Sequence, residues 1–139
     1  MGLDVSHDCW SGAYSAFMRW RAKLAEVAGM PPLDMMEGFY DENATYCLAG
    51  VPDRFRQGLP IRWDCLKPKP IHILLRHSDC EGYIDVKDCF KIAEALRSLM
   101  PLLPDGEERG HIGNWRMKTQ KFIDGLLVAI AANERVRFA

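Results

Sequence analysis

Between His77 and Gly82 the chain places four side chains able to hold a metal or move a proton, His77, Asp79, Cys80 and Glu81. An imidazole beside carboxylates suits zinc, iron or manganese. Crowded ionisable groups at the end of a regular element are also a common setting for a site. Two more histidines stand in comparable places: His7 in Asp4-Val5-Ser6-His7-Asp8-Cys9, and His111 in Gly110-His111-Ile112-Gly113, each just before an expected helix. Helix N-termini favour anions. If both face the loop, His7, His77, His111 and Asp79 converge on a divalent metal or a phosphate, with Glu81 as a further ligand or a general base. The plainer alternative is a turn in which Ser78 or Asp79 accepts backbone N–H bonds, Gly82 takes positive φ and Ile84 packs in the core. That alternative explains Gly82 and Ile84 but leaves the ionisable cluster unused.

The span His77 to Asp88 also resembles an EF-hand calcium loop, with Asp79 and Glu81 at the third and fifth positions, Gly82 at the sixth and Ile84 at the eighth. In that family alternating carboxylates converge on calcium, the glycine permits a sharp turn, and a closing Glu completes the oxygen shell. Two residues depart from the pattern. His77 replaces the first carboxylate, where nitrogen suits a hard cation poorly, and Asp88 replaces the closing Glu and is one methylene shorter. The residues before the loop, Ile71 to Arg76, read as a strand, whereas an EF-hand is entered by a helix. On these grounds the sequence disfavours calcium.

Trp10 and Trp115 each fall at the first turn of an expected helix, directly after a histidine-bearing loop. With Tyr14 they could wall a pocket and stack on a base or sugar; simple core packing is the alternative. Arg19, Lys23, Arg116, Lys118 and Lys121 suit solvated helix faces, and Arg21 is taken as a ligand contact. The candidate ligand-binding set is therefore His7, Trp10, Tyr14, Arg21 and Trp115. The metal set is His77, Asp79, Glu81 and His111. Cys80 is a poor nucleophile, because neighbouring Asp79 opposes thiolate formation. No GxSxG, Walker, HExxH or GxGxxG motif occurs.

The elements that must position these residues follow from hydrophobic spacing. Trp10, Ala13, Tyr14, Phe17, Trp20, Leu24 and Val27 predict an amphipathic helix from 10 to 28, ended by Gly29 and Pro31-Pro32. Residues 33 to 69 read mostly as loop, with a short helix at Leu33 to Gly38 and a strand-like piece at Ile61-Arg62-Trp63. Ile71 to Arg76, aliphatic and bounded by turn formers, is the expected strand that leads to His77. Asp85 caps a helix with Val86, Phe90, Ala93, Leu96 and Met100 on one stripe, stopped by Pro101 and Pro104. Asn114 caps a longer one burying Trp115, Phe122, Ile123, Leu126, Leu127 and Ile130, and Val136 to Phe138 suits an edge strand. The expected architecture is α+β: one domain over 1–139, with three main helices packed on a small mixed or antiparallel sheet.

Composition agrees with that outline. The chain has 139 residues, 48% of them hydrophobic, enough to bury a core without disulfides. A net charge of −1 supplies no field to draw it onto nucleic acid or anionic lipid. Five cysteines without a CxxC pair suit reduced thiols. With no signal-like N-terminus and no apolar run of spanning length, a cytoplasmic protein without a membrane partner is expected. A homo-oligomer is left open.

Ser6-His7-Asp8-Cys9-Trp10, Ser11 to Phe17, His77-Ser78-Asp79-Cys80-Glu81-Gly82 and Gly110-His111-Ile112-Gly113 together resemble a small family of uncharacterised bacterial and phage proteins. The resemblance implies no activity, only a setting in which small accessory proteins hold a metabolite, a nucleotide signal or a host protein. The leading expectation is thus a small-ligand or metal-binding accessory protein, sequestering a nucleotide-like metabolite. The rival readings are a metal-dependent hydrolase of a phosphoester or nucleotide, and a module that blocks a protein partner through Glu37 to Asp64.

Overall fold

The computed structural model describes residues 2–39, 61–104, 107–108 and 113–139. Strands β1 (Leu3–Val5) and β2 (Trp10–Gly12) form an antiparallel hairpin. Its turn runs through His7 and Asp8, both left-handed at φ 60° and 58°, and Cys9 N–H donates to the Ser6 carbonyl at 3.3 Å. Two successive left-handed residues make a type I′ turn, whose twist suits a tight hairpin. Trp10 belongs to this hairpin, so the first helix, α1 (Tyr14–Val27), starts four residues later than its apolar spacing suggests.

A larger correction concerns Ile71 to Arg76, which is a helix, α2, and not a strand. Ile71, His72, Leu74 and Leu75 are all buried, and a short run apolar nearly all round loses the periodicity that separates helix from strand. Pro70, at φ −56° and ψ −33°, already lies in the helical region and gives up no needed N–H at a helix start. The 77–85 loop follows, containing the two-residue strand β3 (Tyr83–Ile84), and then α3 (Val86–Leu99). Strands β4 (Glu107–Glu108) and β5 (Gly113–Asn114) pair, and α4 (Trp115–Ala132) follows, with the Asn114 side chain accepting from the N–H groups of Arg116 and Met117 as expected of its cap. Asn133, left-handed at φ 54°, ends α4 and turns the chain into β6 (Val136–Arg137).

The fold is α+β, and among the described residues it has three long helices, one short helix and antiparallel two-stranded pairs β1–β2, β3–β6 and β4–β5. The first two pairs are stitched together: Val5 bridges Phe138, Ser6 N–H donates to the Arg137 carbonyl, and Asp4 and Ala139 exchange both backbone bonds. Of the other expected pieces, 33–35 and 63–65 are single 3₁₀ turns, and Ile61 makes only a bridge to Met36. Among the described residues no helix is long and apolar enough to cross a membrane.

The core is aromatic. The Trp20 ring stacks on Trp10 at 5.3 Å and meets Phe122 at 5.0 Å, and Phe17 sits edge-on to both Trp10 and Phe138. Trp20 Nε1 donates to Thr119 Oγ1, which in turn donates to the Trp115 carbonyl, so the buried polar atoms of these two side chains are paired. On α3 the buried stripe is Cys89, Ile92, Ala93, Leu96 and Leu99, which leaves Phe90 58% exposed. On α4 Gly125 and Ala129 face inward, and Leu127 turns outward.

That rotation of α4 has a local cause. A Cβ at Gly125 would lie 2.5 Å from Cys9 Sγ, 2.7 Å from the His7 carbonyl oxygen and 2.9 Å from Cys9 Cα, so the bare glycine lets the helix rest on the hairpin turn. Gly125→Ala should therefore destabilise the protein by about 1–3 kcal/mol through overpacking, although Ala is the better helix former by about 1 kcal/mol. Urea denaturation measures the net sign.

Candidate functional site

Among the described residues Arg21 is the buried cation, 1% exposed on the inner face of α1. Its Nη1 donates to the carbonyls of Leu74, Leu75 and His77 at 3.5, 3.3 and 2.6 Å. Those oxygens close α2, where the last carbonyls of a helix lack internal partners and favour a cation. The guanidinium lies 4.7 Å from the Phe17 ring centre and 5.2 Å from that of Phe39. Burial lowers its pKa to about 10, and the nearby charge of Asp79 acts in the opposite direction. Its Nε is buried without a hydrogen-bond partner.

His77 follows directly. Its ring lies 4.1 Å from that of Phe138, with Nδ1 2.8 Å from the Ser78 carbonyl oxygen and Nε2 3.1 Å from that of Tyr83. A neutral imidazole has one N–H and serves one of these acceptors; the doubly protonated ring serves both. Gly82 has φ +98°, and a Cβ there would come within 3.2 Å of the ring. Ser78 Oγ accepts from the Cys80 N–H, the local turn bond expected of Ser78 or Asp79. Ile84 is buried, and Asp85 precedes α3 in the N-cap position without a side-chain cap bond.

An open cleft of about 520 Å³ lies between α1 and this loop. Arg21, His77 and Asp79, all named from the sequence, line it together with Arg76, Trp63 and Phe39. The Arg76 guanidinium sits 5.3 Å from the Trp63 ring centre, and Trp63 is anchored by its Nε1 bond to the Glu37 carbonyl. Sequence reasoning missed Arg76 and Trp63. The available signal was a basic residue ending a helix, obscured because the helix reads as a strand.

The remaining candidates lie elsewhere. His7 occupies the hairpin turn, with Nδ1 2.8 Å from Ser6 Oγ and Nε2 3.3 Å from Glu134, and it faces a separate cleft shared with Asp4 and Arg137. Trp10 and Trp115 are buried in the core, capped at 5.1 and 5.9 Å by the ammonium groups of Lys118 and Lys23. Tyr14 is partly exposed at the start of α1, and Glu81 is exposed on its loop. His111 lies outside the described residues, as does most of the Glu37 to Asp64 segment. Among the described residues no three His, Cys, Asp or Glu side chains gather to hold a metal.

Compared with protein-family models, with curated proteins and with solved structures, the chain finds no match in any of the three.

Two outcomes follow from this chemistry. Arg21→Met keeps bulk but strips the donor from the α2 carbonyls, and leaving buried acceptors unpaired costs about 1–3 kcal/mol each; chemical denaturation should register a loss of at least about 2 kcal/mol. Burial first, and then the charges of Cys89 and Asp8, push Cys9 up to about 12, while burial pushes Cys89 up to about 11. Cys65 and Cys80 are exposed. A disulfide reagent at pH about 8 should label Cys65 and Cys80 in the folded protein and reach Cys9 and Cys89 only on denaturation, as peptide mapping would show.

Proposed function

We propose that the protein is a small-ligand-binding accessory protein whose site is the cleft between α1 and the 76–79 segment. The observation that carries this reading is the meeting of Arg21, His77 and Asp79 with Arg76 and Trp63 in one opening. The cleft brings two guanidinium groups, two carboxylates (Glu37 and Asp79) and the flat faces of Trp63 and Phe39 to one place. A nucleotide-like metabolite complements that mixture: its phosphate pairs with Arg76, its ring stacks on an aromatic face, and its exocyclic N–H groups meet a carboxylate. In the bacterial or phage setting that the sequence resemblance implies, such a ligand would be held, not converted.

Arg76 is exposed, so its truncation tests binding with little risk to the fold. In a thermal-shift panel of nucleoside mono- and diphosphates at millimolar concentration, at least one compound should raise the midpoint. At a hundred times its Kd a ligand adds about 2.7 kcal/mol. Arg76→Ala should remove most of that rise while leaving the unliganded midpoint within a degree or two. A flat panel, or a rise that survives Arg76→Ala, would sink the proposal.

A further inference from the structure

Residues 71–99 run helix, loop, helix, with a two-residue strand at the seventh and eighth loop positions. That is the order of an EF-hand. The strand expected before the loop, which argued against the resemblance, is absent. Gly82 at the sixth position has the positive φ of the sharp turn, Ile84 at the eighth is buried, and Asp85 at the ninth starts the leaving helix. The backbone therefore fits the family, yet the donor set does not fit calcium. The first position supplies nitrogen, the twelfth a short carboxylate, and Glu81 at the fifth is exposed. No three acidic, His or Cys side chains gather in the loop, whereas calcium takes six to eight oxygens.

We propose that this loop keeps the shape of a calcium loop without the ion, the imidazole of His77 standing in the ion's place. In a calcium loop the residue at the first position and the carbonyl at the seventh are joined through the metal. Here the Tyr83 carbonyl is the seventh-position oxygen, and His77 Nε2 lies 3.1 Å from it, so a ring N–H replaces the bridging cation. The ring also fills the concave side of the turn, since a Cβ at Gly82 would meet Cε1 at 3.2 Å and Nε2 at 3.4 Å. Phe138 closes the outer face of the ring at 4.1 Å. The edge of the loop strand pairs with β6 through Tyr83–Arg137 and Ile84–Val136, and the Phe138 N–H reaches the Gly82 carbonyl at 2.9 Å. The tie that a bound ion would supply between the first and seventh positions is thereby made by protein atoms.

Calorimetric titration of the full chain with calcium chloride tests this. The wild type should show no saturable heat up to about 10 mM calcium. The double variant His77→Asp/Asp88→Glu restores the family's oxygen donors and should bind one ion per chain with a Kd no weaker than about 10⁻³ M, within the range of weak natural sites. Saturable binding by the wild type overturns the proposal, as does a folded double variant that takes no calcium. Long-range ¹⁵N–¹H spectra of the wild type give an answer that does not depend on how the variant folds. His77 Nε2 should carry a slowly exchanging proton, and a bare Nε2 overturns the proposal.

Discussion

A single guanidinium, that of Arg21, holds the end of α2 against α1 and fixes the start of the loop that lines the cleft. The arrangement is a charge dissolved in carbonyl dipoles, not an ion pair. Three backbone oxygens accept from one nitrogen, and aromatic faces flank the rest. Removing a cation from water costs several kcal/mol unless it is well paired, and its lowered pKa records that cost. What offsets it is the convergence of helix-end carbonyls, of which that of Leu74 also accepts from the His77 N–H while those of Leu75 and His77 lack an intrahelical donor. A short six-residue helix thus obtains from a side chain the closure that its own length cannot provide.

The start and the middle of the 77–88 loop are held by different means. Its start is held by Arg21 through the His77 carbonyl, and its middle by the same residue's imidazole through the Tyr83 carbonyl. His77 therefore works twice, as backbone acceptor for α1 and as side-chain tie across the turn. The β3–β6 pair and Phe138 then hold the ring from the far side. The cleft wall formed by His77, Ser78 and Asp79 is thus tied to the core through His77, and Arg76 and Trp63 line the same cleft.

Much of this was legible in the sequence where side chains carry their own signal. Asn114 announced its helix, Gly29 and Pro101 marked ends, and the α+β class followed from the long amphipathic stretches. The α2 segment misled because burial on nearly every side removes the alternation on which a reading depends. Arg21 was singled out, but as a contact for a ligand. Its actual partners are backbone oxygens 53 to 56 residues away, which carry no residue-specific mark. His77 was likewise visible as chemistry, whereas the sequence had no means of showing that both ring nitrogens face carbonyls. Arg76 and Trp63 were passed over because their juxtaposition depends on the helix that was not foreseen.

The hairpin at the start of the chain rests on Gly125 of α4 and is stitched to residues 137–139. This has a kinetic meaning. Ser6 and Arg137, which are joined there, stand 131 residues apart, and contacts so distant in sequence slow folding by their loop-closure entropy. Trp10 has near neighbours in Phe17 and Trp20, whereas Val5 meets Phe138 only when these distant contacts form. The docking of the hairpin against β6 and α4 is therefore expected to be a late step of folding.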